Sequence, residues 1–397
     1  MTPHIVSRRL TVPDKLRAAR CFSHPHLGPY ILFFTGGTAL RPLSRKLIDY
    51  TQNSIHLVTP FDSGGSSAVL RNAFDMLAVG DIRNRIMALA DRSVQGNHEV
   101  YELFNYRLPQ NEDTQTLTER LASMIKGSDP LVHAIPHPMR KIIRSHLGFF
   151  REAMPADFDL RGASIGNLIL AGGFFNYNRH IDPVIYLFTM LVKARGEVRA
   201  TLNGNLHLAV ELEDGTTIIG QHLVTGKEVT PLDQPIQRAF ISSETERPVP
   251  VAAPIRSKIR KLIRKAELIC YPLGSFYSSV VANLLPDGVG DAVAENLCPK
   301  VYVPNMGHDP EQYGMSVADS VRTLLHYLKH GCSDERSTTE LLNYVLVDSE
   351  NGDYPGGLDM DAIRILGINV VDAPLVTEES APYADPTLLA EALVSFV

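Results

Sequence analysis

The chain has 397 residues, of which 44% are hydrophobic and 21% are charged, and its formal net charge is −6. This length is enough to bury a sizeable core, and the acidic balance argues against a partner that is a nucleic acid. Four widely spaced cysteines have neither zinc-binding nor redox spacing, which is typical of reduced thiols. We find no signal-peptide pattern and no apolar run of the ~20 residues that a transmembrane helix needs, so we expect a cytoplasmic protein that does not bind a membrane.

The first informative stretch begins with a short apolar run at residues 30–34, which predicts a buried parallel strand. Gly36, Gly37 and Thr38 follow it closely, and apolar residues at helical spacing then run from about residue 40 to residue 50. A strand, a glycine turn and a helix in this order point backbone N–H groups at an anion. A tight connection that simply requires glycine explains the turn equally well.

A second and a third polar turn follow, one after a predicted strand at residues 54–59 and one before a helix. Asp62 and Asp81 lie in these turns, where carboxylates could hold a Mg²⁺ that bridges phosphates. Asp81 is also a good N-cap, and Asp62 a common type of loop residue. The glycines and the phosphate- or sugar-binding side chains around them are Gly64, Gly65, Ser66, Ser67, Arg83 and Asn84. Because two of the three turns directly follow strands, we predict one site at the C-terminal edge of the sheet.

Two insertions are predicted in the middle of the chain. Residues 92–160 show apolar residues at helical spacing, interrupted by prolines, and residues 197–245 alternate apolar and polar residues around a hairpin signal at Asp214 and Gly215. Between them, Ser164 is a suitable N-cap for an apolar helix, and Asn167 near its start is placed to face a nucleotide or substrate. A structural hydrogen bond from Asn167 to a neighbouring loop is an equally good interpretation.

A second strand–turn–helix pattern occurs far along the chain. A predicted helix at residues 253–266 and a strand at residues 267–271 lead to Gly274 and Ser275, which have the form of another anion site. Taken by itself, Ser275 is an ordinary N-cap. The next strand, residues 300–304, ends at Asn305, and His308 beside Asp309 offers a general acid–base pair, although we favour a plain surface position for it.

Together these motifs resemble the family that holds 2-phospho-L-lactate transferase and the bacterial gluconeogenesis factors, the CofD-like proteins, over roughly residues 30–348. The matching residues are those at 36–38, 62, 64–67, 80–84 and 164–168, with Gly274, Ser275, Tyr277, Ser279, Asn283 and Asn305. The sequence departs from the family pattern at several positions, among them Ser63 in place of a second acid and Val79 in place of a proline.

The resemblance and the order of elements predict an α/β fold with a Rossmann-like, mainly parallel sheet that carries a helical insertion and a β-meander insertion. We expect one nucleotide-binding domain at residues 29–350, with the helical insertion at 92–160 and the β insertion at 197–245. An N-terminal arm at residues 1–28 and a C-terminal extension at residues 351–397 flank it.

The resemblance implies a transferase that moves a phosphoryl-linked group, of the 2-phospholactate type, from a nucleoside diphosphate to a small alcohol acceptor. Mg²⁺ is the expected cofactor, with Asp62 and Asp81 as its ligands and as the catalytic residues. The resemblance assigns nucleotide or phosphate binding to Gly36, Gly37, Thr38, Gly64, Gly65, Ser66, Ser67, Arg83, Asn84, Asn167, Gly274, Ser275, Tyr277, Asn283 and Asn305. The alternative is a non-catalytic regulator that binds a sugar nucleotide, and a homodimer is left open.

Overall fold

Ten strands are present in a computed structural model that describes residues 9–226 and 231–397. They are β1 (Ile31–Thr35), β2 (Ile55–Val58), β3 (Glu197–Ala200), β4 (His207–Leu212), β5 (Thr217–Ile219), β6 (Ile236–Ser242), β7 (Leu268–Tyr271), β8 (Lys300–Tyr302), β9 (Tyr344–Val347) and β10 (Asn369–Asp372). Seven of them form a parallel sheet in the order β10-β9-β8-β7-β1-β2-β3, and β5-β4-β6 form an antiparallel sheet. The predicted α/β fold with a mainly parallel sheet is confirmed.

Helices cover the sheet on both faces. In the same described residues they are α1 (Lys15–Ser23), α2 (Arg41–Leu47), α3 (Gly65–Phe74), α4 (Gly80–Ala88), α5 (His98–Asn105), α6 (Thr114–Lys126), α7 (Pro130–His133), α8 (Met139–Ala153), α9 (Ile165–Asn176), α10 (Ile181–Leu191), α11 (Gln221–Val224), α12 (Ser257–Lys265), α13 (Ala282–Leu284), α14 (Val289–Ala294), α15 (Val317–His330), α16 (Thr338–Leu341), α17 (Met360–Ile365) and α18 (Pro386–Ser395). A π-helix, Phe276–Val281, precedes α13, and short 3-10 helices occupy Pro25–Leu27 and Pro310–Gln312.

The direction in which strands are added reverses between β1 and β7. The chain proceeds from β1 to β2 and β3 on one side, and from β7 through β8 and β9 to β10 on the other. At the junction, Leu32 of β1 lies between Ile55 of β2 and Ile269 of β7. Connections that leave β1 and β7 therefore diverge, and in open α/β sheets this reversal opens a crevice at the carboxyl ends of the strands.

Burial on both faces explains the continuous apolar run of β1. Ile31 and Phe33 pack in one hydrophobic cluster with α2 and α18, whereas Leu32 and Phe34 pack in another with α12, α15 and β4. Successive side chains of a strand point to opposite faces, so a strand covered on both sides must be apolar at every position. The continuous apolar run that predicted β1 in the sequence therefore reflects burial on both faces.

The helical insertion forms a third hydrophobic cluster. Its helices α5, α6 and α8 pack with α9 and α10 against α4 and the β2–β3 side of the sheet. Ser164 caps α9 by accepting a hydrogen bond from the backbone N–H of Asn167, as the sequence predicted. The insertion thereby holds the N-terminus of α9 over the second polar turn.

The β insertion begins later than its predicted boundary at residue 197. Strand β3 pairs in parallel with β2 and belongs to the main sheet, because its buried residues Val198 and Ala200 continue that sheet's core. The separate antiparallel sheet starts at β4, and the predicted hairpin around Asp214 joins β4 to β5. Residues 227–230 of this insertion, like residues 1–8 of the predicted arm, lie outside the described residues.

The predicted C-terminal extension is built into the domain. Strand β10 pairs with β9 at the edge of the main sheet, and α18 packs against α1 and α2. The backbone N–H of Asp14, next to α1, donates a 2.8 Å hydrogen bond to Ser395 Oγ of α18. Among residues 9–226 and 231–397, no helix combines the length and the apolar character that a membrane crossing requires.

If α18 is integral to the fold, Leu393→Ala should lower the free energy of unfolding by about 2–5 kcal/mol, because Leu393 is fully buried against α2. Denaturant unfolding measures this change. Ile365→Ala is the matched control, since Ile365 is 84% exposed on α17 and should shift stability by no more than about 0.5 kcal/mol. A Leu393→Ala effect as small as that of the control would contradict the packing.

Candidate functional site

The first glycine turn, which follows β1, is held by a buried arginine. Arg85 of α4 donates one Nη1 hydrogen bond to Ser44 Oγ (2.6 Å). Its Nη2 donates to Thr35 Oγ1 (2.7 Å) and to the backbone oxygens of Gly36 (3.2 Å) and Gly37 (3.1 Å). One guanidinium therefore fixes the end of β1, the start of the turn and helix α2.

Arg85 was not among the predicted site residues. Burial lowers the pKa of its guanidinium to about 10, and the neighbouring Asp81 carboxylate opposes that shift, so Arg85 remains charged at neutral pH. Asp81 and Arg85 are four residues apart on one helix, a spacing that places opposite charges on the same face. That spacing is the signal that sequence reasoning could have used.

Gly36 and Gly37 differ in what surrounds them. A Cβ on Gly36 would lie 2.5 Å from Ser279 Oγ and 3.0 Å from Ser279 Cβ, so only glycine allows the turn to approach the π-helix this closely. A Cβ on Gly37 would lie 3.7 Å from Asp81 Oδ1, an ordinary contact, and Gly37 is not in the left-handed region. Packing against Ser279 therefore requires glycine at position 36, whereas Gly37 lies beside the Asp81 carboxylate.

The second anion-type turn lies beside the first. Gly274, which follows β7, has φ +138°, and a Cβ there would lie 3.5 Å from Ala39 Cβ. A narrow pocket of about 40 Å³ between the two turns is lined by both, including Thr38 and Ser275, and by Gln221 of α11. The structure brings these two turns together at the carboxyl edge of the sheet, where the strand order reverses.

Asn305, predicted as a ligand contact, braces the second turn and also lines the larger cavity described below. Its Oδ1 accepts from Gly274 N (2.6 Å), and its Nδ2 donates to Gly274 O (2.7 Å) and Asp309 Oδ2 (2.9 Å). Asp309 Oδ2 also accepts from Phe276 N at the start of the π-helix (2.9 Å), while His308 is exposed. The carboxylate of Asp309 thus supports local structure, and the surface interpretation of the His308–Asp309 pair is the one that the geometry favours.

Tyr277 and Asn283, which were predicted to bind the nucleotide or phosphate, are buried and hydrogen-bonded to neighbouring segments. Tyr277 is buried, burial raises the pKa of its phenol, and its OH donates to Ile236 O of β6 (3.3 Å). Asn283 is buried, and its Nδ2 donates to Thr35 O (2.9 Å) while its Oδ1 accepts from the Thr201 hydroxyl. These side chains tie the π-helix region to the two sheets.

Both predicted acids lie near the first turn of α4. Asp62 Oδ1 accepts from Gly64 N (3.2 Å), and Oδ2 accepts from Ser67 Oγ (2.6 Å). A Cβ on Gly80 would lie 2.7 Å from Asp62 Oδ2, so glycine lets the start of α4 touch this carboxylate. Asp81, the next residue, is 6% exposed and lies inside the first turn of α4, which corrects its alternative reading as the N-cap.

Asp62 and Asp81 are suitable in kind and number for Mg²⁺. Magnesium is usually held by one or two carboxylates, with substrate phosphates and water completing its ligands. Across the described ranges 9–226 and 231–397, no group of three or more His, Cys, Asp or Glu side chains could form a complete protein metal site.

The second polar turn is tied to the N-terminus of α9. Ser66 Oγ accepts from Ser164 N and from Asn167 Nδ2, both at 3.4 Å. Arg83 donates to Asn84 Oδ1 (2.7 Å) and to a carbonyl of the helical insertion, so both side chains lie at the α4–insertion interface. The structural interpretation of Asn167 is the one observed, although its Oδ1 is buried without a hydrogen-bond partner among the described atoms.

Charge at this interface is positive. Burial lowers the pKa of Arg83 to about 10, the nearby Arg107 and Arg41 lower it further, and Asp81 and Asp62 oppose them. Three guanidinium groups therefore lie near the two acids, and they compensate negative charge on that side of the cleft.

Ser63, which stands where the family has a second acid, joins the turn to the β insertion. Its Oγ lies 2.7 Å from His222 Nδ1 and accepts from His222 N (3.2 Å). Arg71 of α3 donates to Asp62 O (3.3 Å) and to Leu206 O (2.6 Å), and so fastens the same turn to the residue before β4. Sequence reasoning missed His222 and Arg71, because their partners lie far away in the chain.

A second, larger cavity of about 480 Å³ opens beyond Gly274 and Ser275. It extends over the ends of β7 and β8 to Tyr383 and Leu389 of the C-terminal segment. Asp62 follows β2 whereas this cavity lies over β7 and β8, and β2 and β7 flank β1 on opposite sides.

Comparison with known proteins places this architecture in a family. A family described as 2-phospho-L-lactate transferase CofD matches residues 31–376. The chain is 27% identical over 368 residues to the gluconeogenesis factor of Bacillus subtilis, covering 88% of this chain and 92% of that protein. It is also 27% identical over 386 residues to a putative gluconeogenesis factor of Nostoc sp., covering 93% of this chain and 69% of that protein.

A solved structure shares the fold. The crystal structure of a UPF0052-family protein from Bacillus halodurans superposes with a TM-score of 0.67 at 23% sequence identity, and covers 92% of this chain and 99% of that chain. At this identity the likeness supports the fold alone.

The packing of the two glycine turns can be tested with a pair of variants. Gly36→Ala should lower the free energy of unfolding by about 1–3 kcal/mol, because its Cβ would overlap Ser279. Gly37→Ala, which meets only an ordinary contact, should change it by less than about 1 kcal/mol. Denaturant unfolding of both variants measures the difference, and equal stabilities would refute the close approach.

The Arg85 clamp can be tested with Arg85→Met, which keeps a long apolar side chain but loses four hydrogen bonds. The variant should lose about 3 kcal/mol of stability, since buried acceptors and the Asp81 carboxylate lose their partner charge. Arg322→Met is the control, because its ion pair with Asp319 is exposed and contributes at most about 1 kcal/mol. Thermal unfolding that shifts equally in both variants would argue against the clamp.

Proposed function

Because the chain belongs to the 2-phospho-L-lactate transferase CofD family, we propose that it binds a nucleoside diphosphate and transfers a phosphoryl-linked group from it to a small alcohol. The observation that carries the proposal is the meeting of two glycine turns beside two carboxylates. Gly274 approaches Ala39 at the point where the strand order reverses, and Asp81 borders Gly37. Open α/β sheets bind ligands at such a reversal.

The two turns supply the phosphate contacts in this proposal. Gly36, Gly37 and Thr38 on one side, and Gly274 and Ser275 on the other, line the same narrow pocket. Small residues let backbone N–H groups approach phosphate oxygens closely, which suits a diphosphate better than a bulky neutral group. Arg85 and Asn305 hold the turns in place from behind, so the donors are positioned before the ligand arrives.

The reaction follows from this arrangement. The alcohol oxygen attacks the distal phosphorus, the bond from that phosphorus to the bridging oxygen breaks, and a nucleoside monophosphate leaves while the alcohol proton passes to solvent. Bound Mg²⁺ would neutralise charge at the bridging oxygen. Asp62 and Asp81 would hold the cation and orient the distal phosphate, and Gly80 allows Asp62 to reach it. The protein needs no nucleophile of its own.

A non-catalytic regulator that binds a sugar nucleotide is the second candidate. The observation that favours it is Ser63, which replaces an acid of the family pattern and is engaged by His222. The Bacillus subtilis relative is named a gluconeogenesis factor, a name that states no reaction. Nucleotide-dependent thermal shifts with and without Mg²⁺, followed by a product assay, separate the two candidates, because a regulator would bind without turnover.

The metal role of Asp62 can be tested with Asp62→Asn, which keeps an oxygen acceptor for Gly64 or Ser67 but removes the negative charge. We expect Mg²⁺-dependent binding of UDP or GDP to weaken by about tenfold or more, because the cation loses a charged ligand. Calorimetric titrations with and without Mg²⁺ measure this effect.

Asp361→Asn is the control for this experiment, since Asp361 is exposed on α17 and pairs only with Arg364 in the described contacts. Unfolding curves of both variants establish that they fold. An unchanged magnesium dependence in folded Asp62→Asn would remove Asp62 from the metal site.

A further inference from the structure

The cavity beyond the second turn has walls unlike those of the narrow phosphate pocket. Its volume of about 480 Å³ lies within the roughly 300–1,000 Å³ typical of small-molecule sites. Pro42 and Leu43 of α2, Leu273, and Pro386 and Leu389 of α18 make its walls largely apolar. Its lining also includes the carboxylate of Asp309, which would repel a phosphate, so its chemistry suits an uncharged ring rather than another phosphate.

The cavity adjoins the phosphate pocket. Thr38, Ala39, Leu273, Gly274 and Ser275 line both spaces. A ligand held by its phosphates between the turns would therefore lie directly beside the cavity.

The order of strands sets the direction of that ligand. Asp62 follows β2 on one side of β1, whereas the cavity lies over β7 and β8 on the other side. With the reacting phosphate toward the carboxylates, the opposite end of a nucleotide, which is its base, points into the cavity. An acceptor alcohol would have to approach from the carboxylate side.

Tyr383 closes the far wall and comes from outside the matched family region, which ends at residue 376. Its ring is near Gly307, where a Cβ would lie 3.4 Å from Tyr383 Cε1, and its backbone N–H donates to Ser380 O (2.8 Å). The side chain is nevertheless 66% exposed. The backbone of Tyr383 is thus held by a hydrogen bond, while its ring is exposed on the wall of an apolar cavity. Such a ring is a suitable surface for stacking.

We propose that this cavity is the nucleobase subsite and that the C-terminal segment, through Tyr383, supplies the ring on which the base stacks. This inference rests on the proposed nucleotide-binding function. It assigns the segment after residue 376 a part in ligand affinity, in addition to its packing against α2. Stacking depends on the π-face that all bases share, so Tyr383 strengthens binding of purine and pyrimidine nucleotides alike.

The test compares ligands that share phosphates but differ in the base. Calorimetric titrations with UDP, GDP and inorganic pyrophosphate, each with Mg²⁺, are made on the parent protein, Tyr383→Ala and Tyr383→Phe. Tyr383→Ala should weaken UDP and GDP binding by about tenfold and leave pyrophosphate unchanged, whereas Tyr383→Phe should retain the parent affinities. Tyr186→Ala, at an exposed tyrosine on α10, is the matched control and should bind all three ligands like the parent.

The outcomes separate this inference from the function on which it rests. A parent protein that binds UDP and GDP with affinities that Tyr383→Ala does not change would overturn the stacking role. Equal loss of pyrophosphate and nucleotide affinity in Tyr383→Ala would also overturn it, because the effect would then lie in the phosphate pocket. A parent that binds none of the three ligands would refute the proposed function, and the inference with it.

Discussion

The pairing of β1 with β7 is the contact on which the candidate site depends. These strands are far apart in the chain, yet Ile31, Leu32 and Phe33 lie in register with Leu268, Ile269 and Cys270. Because β1 and β7 are parallel neighbours, the turns that follow them lie at the same edge of the sheet. The chain segments after these turns then lead away from each other. The phosphate pocket, the carboxylate pair and the larger cavity take their positions from this one junction.

Electrostatics then determine what the junction can hold. A buried guanidinium is costly unless hydrogen bonds and opposite charge compensate it, and Arg85 obtains both from the first turn and from Asp81. Because Arg85 interacts with both, the position of the first glycine turn is coupled to the Asp81 carboxylate. Loss of Asp81 would remove the opposite charge that Arg85 has nearby, so the two residues act together although only Asp81 borders the cleft.

The two insertions and the C-terminal segment contribute residues that surround the candidate site on the shared fold. Helix α9, packed on the helical insertion, places Asn167 on the second polar turn, and the β insertion brings Gln221 to the phosphate pocket and His222 to Ser63. The C-terminal segment, part of it beyond the matched family region, brings Tyr383 to the larger cavity. Differences among relatives in ligand and acceptor are expected in these additions rather than in the central strands.

The sequence by itself determined the local elements, because their causes are local. Continuous apolar runs identified buried strands, glycines identified the tight turns, and Ser164 identified the start of α9. The motifs also sufficed to predict the family and the edge of the sheet at which the polar turns gather.

Only the tertiary structure decided which polar side chains face the cleft. Tyr277 and Asn283 lie in site motifs, but each is buried and hydrogen-bonded to distant segments, whereas Asn305 both braces the second turn and lines the larger cavity. Arg85 and Tyr383 became recognisable only through partners or cavities that the fold assembles. A motif specifies the backbone path of a few residues, whereas the direction of a side chain depends on what the rest of the chain packs against it.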